Sequence, residues 1–118
     1  HVPTFMMEAA RVALSCEDSV AEFNREYRKR RVMMRDGLAA LPGIRVVEPE
    51  GAFYIFADIT GTGMSDTEFA DGALEAGVQL IPASLITGGE GFIRVSYATG
   101  EEAIAEGLNR LRKWLLDE

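Results

Sequence analysis

Cysteine and histidine are nearly missing from this chain of 118 residues, and positive charge is short. Cys16 is the only cysteine, so no internal disulfide can form, and a reducing, cytoplasmic setting is the expectation. It sits in an alanine-rich helical run, where a small buried apolar role suits it better than that of a nucleophile. The one histidine, His1, stands at the very end of the chain and is not read as a catalytic base. With 12 Lys and Arg against 19 Asp and Glu, the net charge of -7 disfavours nucleic acid and anionic membrane surfaces. No stretch approaches the roughly 20 apolar residues that cross a bilayer. The start, HVPTFMMEAAR, lacks the charged-then-apolar layout of a signal peptide. Neither nucleic acid nor membrane is expected as a partner, and no metal site is expected.

What is present is an ordinary globular composition, 47% hydrophobic and 26% charged, at a length that suits one core rather than two. Residues 4 to 16 lack Gly and Pro and place Phe5, Ala9, Val12, Ala13 and Cys16 on one side of a helix, with Met6, Ala10 and Leu14 widening the apolar surface. So broad an apolar helix calls for neighbours on more than one side. A second, longer helix is predicted from a cap at Asp18 or Ser19 to about Leu41, where Pro42-Gly43 stops it. Its stripe is Val20, Phe23, Tyr27, Met34, Leu38 and Leu41, broken only by Arg30-Arg31. The cluster Arg28 to Arg31 is an anion patch or a solvated face, and Glu22 and Glu26 one turn earlier favour the second.

Two strands follow, Ile44 to Val47 and Ala52 to Asp58, joined by the turn-like Glu48-Pro49-Glu50-Gly51. The second is apolar on both faces, which predicts a central strand covered twice. Gly61-Thr62-Gly63 matches no phosphate-loop spacing and is read as a plain loop. Ser65 with Glu68 is a capping box for a third helix, striped by Phe69, Ala70, Ala73 and Leu74 and closed by Gly77. Val78 to Ile81 is a further strand. A ten-residue loop with three glycines, Pro82 to Gly91, then leads into Phe92-Ile93-Arg94-Val95-Ser96-Tyr97. There Ile93, Val95 and Tyr97 alternate with Arg94, whose planar fork of donors suits a bidentate carboxylate or phosphate, although most strand arginines are structural. Thr99 and Glu102 form a second capping box before a last helix striped by Ile104, Gly107, Leu108, Leu111, Trp114 and Leu115. The fold class expected is α/β: a small two-layer sandwich, its three- to four-stranded, mainly antiparallel sheet carrying helices on one face, preceded by two helices of which the second is long.

The run Pro49-Glu50-Gly51-Ala52-Phe53-Tyr54-Ile55-Phe56-Ala57-Asp58, the loop opening at Pro82, and Gly89-Glu90-Gly91-Phe92-Ile93-Arg94-Val95-Ser96-Tyr97-Ala98 before a capped helix resemble the C-terminal part of class I/II aminotransferases. These are pyridoxal-phosphate enzymes of the aspartate aminotransferase type. Tyr27, Arg30-Arg31, Leu38 and Leu41-Pro42-Gly43 stand in the same order as in that family. The resemblance implies that Arg94 binds the α-carboxylate of an amino acid or 2-oxo acid, that Tyr54 and Phe53 border the substrate, and that the domain closes over the cofactor. It divides the chain into a helical lead-in, residues 1–42, from a large domain and the small domain proper, residues 43–118, and it implies a homodimeric parent. The family's Schiff-base lysine has no counterpart, because Lys29 and Lys113, the two lysines, lack its Ser-x-Ser-Lys surroundings. The chain is thus expected to be a fragment, inactive alone, with pyridoxal phosphate held by the parent. One stretch departs from the family: Ala83 follows Pro82, and Leu85-Ile86-Thr87 stand where an aromatic and a glycine are usual. The alternatives are a stand-alone amino-acid-binding regulatory domain and a dimerisation module, the first disfavoured by roughly 40 helical residues ahead of the first strand.

Overall fold

The computed structural model describes residues 2–116; His1 therefore lies outside the described residues. In order, the chain forms α1 (Thr4–Ala13), α2 (Glu17–Ala39), β1 (Arg45–Val46), β2 (Tyr54–Asp58), a 3-10 turn (Thr60–Thr62), α3 (Asp66–Glu75), β3 (Ile81–Pro82), α4 (Ser84–Thr87), β4 (Phe92–Ser96) and α5 (Glu101–Leu115). The four strands lie side by side as β1-β2-β4-β3, each pair antiparallel. Both edge strands are only two residues long, which limits the unpaired backbone offered to other chains. Of the strand expected over Val78 to Ile81 only Ile81 pairs with β4; the pairing runs one residue further and ends at Pro82, which has no N–H to donate.

One face of the sheet makes the core. Ile55, Ala57, Ile93 and Val95 point there and meet Met34, Leu38 and Leu41 of α2, Phe69 and Ala73 of α3, and Ile104 and Leu111 of α5. Phe69 and Trp114 lock α3 to α5 edge to face, with ring centres 5.0 Å apart. Helices α2, α3 and α5 thus cover the same side, as the two-layer expectation required. The second cover predicted for β2 is not formed within the chain: Phe56 on the other side is 42% exposed.

Several local expectations are corrected. Glu17 opens α2 without a side-chain cap, and its acids Glu17 and Asp18 meet the helix dipole instead of Asp18 or Ser19 capping it. Helix α5 starts after Gly100, again with no side-chain cap, so the Thr99 box does not form and Glu101 and Glu102 supply the first-turn charge. The Ser65–Glu68 box does form, both hydrogen bonds included. Leu74 is exposed rather than part of the α3 stripe, and α4 puts one helical turn into the loop after Pro82.

Helix α1 buries nothing. Phe5, Met7 and Leu14 are exposed, as are Val20 and Phe23 in the first half of α2, and Cys16 between the helices is exposed rather than buried. Its helical surroundings are apolar, yet no neighbouring element packs on them. These helices stretch the molecule to 52 Å in its longest dimension. Its radius of gyration, 17.1 Å, exceeds the ~13.5 Å of a compact domain of this length.

Candidate functional site on the open sheet face

Alternation along β2 and β4 sends Tyr54, Phe56 and Asp58, and Phe92, Arg94 and Ser96, to the face without helices. In register, Tyr54 lies opposite Ser96, Phe56 opposite Arg94 and Asp58 opposite Phe92, while Ile81 flanks Arg94 from β3. Arg94 is half-buried, with its guanidinium carbon 4.5 Å from the centre of the Tyr54 ring. The two arginines of the sheet differ. Arg45 is ion-paired with Asp58, whereas Arg94 has no carboxylate partner among the described residues. The fork of Arg94 is therefore free to take an anion.

Phe53 caps this end of the sheet, 39% exposed, with its ring centre 4.3 Å from that of Tyr54 and 6.3 Å from that of Tyr27 on α2. Tyr27 in turn meets Tyr97 edge to face at 6.2 Å. An aromatic row thus runs from the core to Arg94. Its geometry depends on the turn before β2. Ala52 adopts φ 58°, a left-handed conformation that costs an L-residue energy, and the buried Tyr97 hydroxyl donates to the Ala52 carbonyl at 2.8 Å. Burial pushes the Tyr97 phenol above its ordinary value. The Tyr97 N–H donates to Phe53 O at 3.0 Å, extending the β2–β4 pairing by one residue. Phe53 and Tyr54 are held by the β4 backbone on one side.

Arg31 of the basic cluster on α2, with Arg35 one turn on, serves the same turn. Arg31 donates to Pro49 O at 3.1 Å, and Arg31 and Arg35 both pair with Glu48, so the helix grips the β1–β2 connection. The Arg31 Nε lies within ion-pair distance of Glu48, 3.4 Å, but is not aligned for a hydrogen bond. Lys29 pairs with Glu26 on the helix surface, as the solvated-face reading expected, while Arg30 stacks over Tyr27 at 5.5 Å. Between α2 and the turn lies a groove of about 280 Å³ lined by Asn24, Tyr27, Arg28, Arg31, Ala52 and Tyr97.

The loop from Pro82 to Gly91 borders the open face through Ile81 and Phe92. Its anchor is Asp66, 2% exposed at the start of α3, whose carboxylate accepts the Ser84 N–H at 2.8 Å. That amide, more than any other contact, holds the Asp66 carboxyl below the usual carboxylate range. Ala83 is buried and donates its N–H to Phe92 O at 2.9 Å, whereas Leu85 and Ile86 are exposed. Gly91, at φ 82°, also lacks room for a Cβ, which would lie 2.7 Å from Thr60 Cγ2.

All three residues singled out from the sequence, Arg94, Tyr54 and Phe53, are brought together. Sequence reasoning missed Asp66, Tyr27 and Ser96. Asp66 was hidden inside a capping box, and its partner Ser84 is 18 residues away; Tyr27 read as helix stripe and as part of the family's order, not as a neighbour of Phe53. No group of three His, Cys, Asp or Glu among the described residues is placed to hold a metal ion. Pyridoxal phosphate does not fit these residues on their own. Lys29 is exposed on α2 and already ion-paired, and Lys113 is exposed on α5, which covers the opposite side of the sheet from Arg94.

The family model for aminotransferase class I and II matches residues 1–111. The chain is 43% identical to the aspartate aminotransferase of Pyrococcus horikoshii over 100% of its own length and 32% of that protein. It is 41% identical to aromatic-amino-acid aminotransferase 2 of Thermococcus litoralis, over 98% of this chain and 31% of the other. Among solved structures, a protein titled Pyrococcus protein-A1 superposes with a TM-score of 0.89 at 37% identity, covering 97% of this chain and 30% of that one. The aspartate aminotransferase from Thermus thermophilus with maleate superposes at 0.75 and 35% identity, over 86% and 26%. The chain thus spans about a third of the length of the curated relatives it matches. With its sequence matched almost end to end and its fold superposed on solved members, this chain belongs to the class I and II aminotransferases.

Proposed function

We propose that this chain is the C-terminal, substrate-closing domain of a pyridoxal-phosphate-dependent aminotransferase, and that Arg94 receives the α-carboxylate of an amino acid or 2-oxo acid. The observation that carries the reading is the guanidinium on the open sheet face, half-buried and with no carboxylate partner among the described residues. A cation in that state is short of counter-charge, and a planar carboxylate meets its fork with two parallel hydrogen bonds. Phe53 and Tyr54 form one wall of the approach, and the Pro82–Gly91 loop forms another. The chemistry of the cofactor, which withdraws electrons from the substrate's α-carbon, belongs to residues outside this chain, since neither lysine here suits it. What this chain contributes is binding and orientation of the carboxylate and exclusion of water on closure.

In this reading residues 1–42 lead in from a large domain and residues 43–118 form the small domain, with the end of α2 sharing its core. The exposed apolar side of α1 becomes a contact with the large domain or with a second subunit of a homodimer, and the protein works in the cytoplasm. That same side also supports a second reading, a dimerisation module. Calorimetry with free amino acids tests the first reading, which predicts no useful affinity in the isolated chain, and a strictly monomeric profile at high concentration would count against the second. The decisive experiment for Arg94 is its replacement by Ala in the full-length protein that carries this chain. The apparent Kd for the amino-acid substrate should rise by roughly 100-fold, as when one side of a desolvated charge pair is removed. Unchanged affinity would sink the role.

A further inference from the structure

We infer that Tyr54 is the positioning residue of this site: its ring holds the Arg94 guanidinium by one flat face and so leaves the N–H fork free for a carboxylate. The inference rests on the reading of Arg94 as the carboxylate anchor and adds what keeps that arginine aimed.

The sheet register provides the contact. Tyr54 sits opposite Ser96 and hence diagonal to Arg94, a separation that long and aromatic side chains bridge across antiparallel strands. Ser96 is small, and its Oγ turns away to accept the Ala98 N–H at 3.3 Å, which leaves the diagonal open. The Tyr54 ring also meets the tilted ring of Phe53, centres 4.3 Å apart, and Phe53 is fixed through its carbonyl by Tyr97. The ring therefore contacts both a fixed aromatic neighbour and the guanidinium.

The choice of partner decides what Arg94 can do. Arg45, on the same sheet, is held by the carboxylate of Asp58, and that bond occupies a donor of its fork. A ring attracts the cation through its π-face and uses none of the in-plane N–H groups. It also removes water from one face of the guanidinium, which strengthens the hydrogen bonds left to make. Tyr54 thus acts on substrate through Arg94, and the stack involves its ring rather than its hydroxyl.

The test is steady-state kinetics on the full-length enzyme with its cofactor. Tyr54→Leu should raise KM for the amino acid about tenfold, equivalent to ~1.4 kcal/mol and within the range of a partly desolvated cation–π contact. It should leave kcat within about twofold, because uniform binding is lost. Tyr54→Phe, which keeps the ring, should restore KM. Combined with Arg94→Ala, Tyr54→Leu should add nothing further. Where Tyr54→Leu lowers the melting temperature, Tyr54→Met, which keeps bulk without a π-face, replaces it and should show the same KM. An unchanged KM in the Leu and Met variants, with Arg94→Ala still impaired, overturns the inference and leaves the Arg94 reading standing. Equal damage from Tyr54→Phe overturns it in favour of a hydroxyl that touches substrate. Normal binding by Arg94→Ala overturns the reading itself.

Discussion

On the covered side of the sheet, Ile55, Ala57 and Ile93 are completely buried and Val95 nearly so; one residue along each strand, Phe56 and Phe92 remain about two-fifths exposed. Both sides are rich in apolar side chains, so composition does not tell them apart. The difference lies in the helix layer, because α2, α3 and α5 all pack on one side and no helix among the described residues packs on the other. Removing apolar area from water stabilises the first side, whereas the second keeps that area available for contact. The one free cation among the described residues of the sheet, Arg94, stands on the second side, beside rings that do not contribute to the core. A sheet can thus use one face for stability and the other for binding.

The sharpest way to break this comparison is to truncate adjacent residues of β4. Ile93→Ala should cost about 2–5 kcal/mol of unfolding free energy, measured by urea denaturation, since it leaves a cavity in a fully packed site. Phe92→Ser, one residue away, should cost only about 1 kcal/mol, from partial burial and strand preference. Equal losses would mean that the open face is also a stabilising one. Next in size is the α2–α5 seam that covers the core. A Cβ on Gly37 would lie 2.2 Å from a Leu108 methyl and 3.1 Å from its Cγ, and Gly37→Ala should cost up to about 2 kcal/mol, overpacking outweighing the ~1 kcal/mol gained in helix propensity. On the facing helix nothing lies within 4 Å of a Cβ added to Gly107, and Gly107→Ala should instead stabilise by up to ~1 kcal/mol through helix propensity. Opposite signs from the same substitution locate the tight side of the seam.

At the end of the sheet, Tyr97→Phe removes the hydrogen bond to Ala52 O and should cost about 1 kcal/mol. Because burial raises the phenol above its ordinary value, the wild-type Tyr97 contribution is complete below pH 10 and is lost as pH rises through the raised value. The phenylalanine variant should lose that alkaline dependence. The smallest effect concerns Asp66, whose carboxyl is depressed by the Ser84 amide. Its contribution is present above the ordinary value of 3.8 and is lost as pH falls through the lower, folded-state value. Asp66→Asn should flatten that acid limb in a pH series of thermal melts and speed hydrogen exchange at the Ser84 amide. An unchanged acid limb would separate Asp66 from the loop.

Much of this was legible because local rules bear on it directly. The alternation around Arg94 and the capping box at Ser65 need no distant partner to form. Other local signals failed where tertiary context competed. Thr99 offered a cap that Gly100 displaced, and the apolar run around Cys16 promised burial that no neighbour among the described residues supplies. The groups that shape the site were the hardest to see. Asp66 meets Ser84 across 18 residues and Tyr97 meets Ala52 across 45, separations at which no periodicity reports a contact.

From its sequence alone, this protein's α/β class, its long helix and the pairing of Arg94 with its own strand faces follow, because residue spacing and side-chain chemistry act over a few residues. Which face of the sheet the helices cover, which arginine keeps its fork free, and that Tyr54 rather than an acid holds it were decided by the tertiary structure. Those outcomes depend on strand register and helix packing, which bring together residues that spacing along the chain keeps apart.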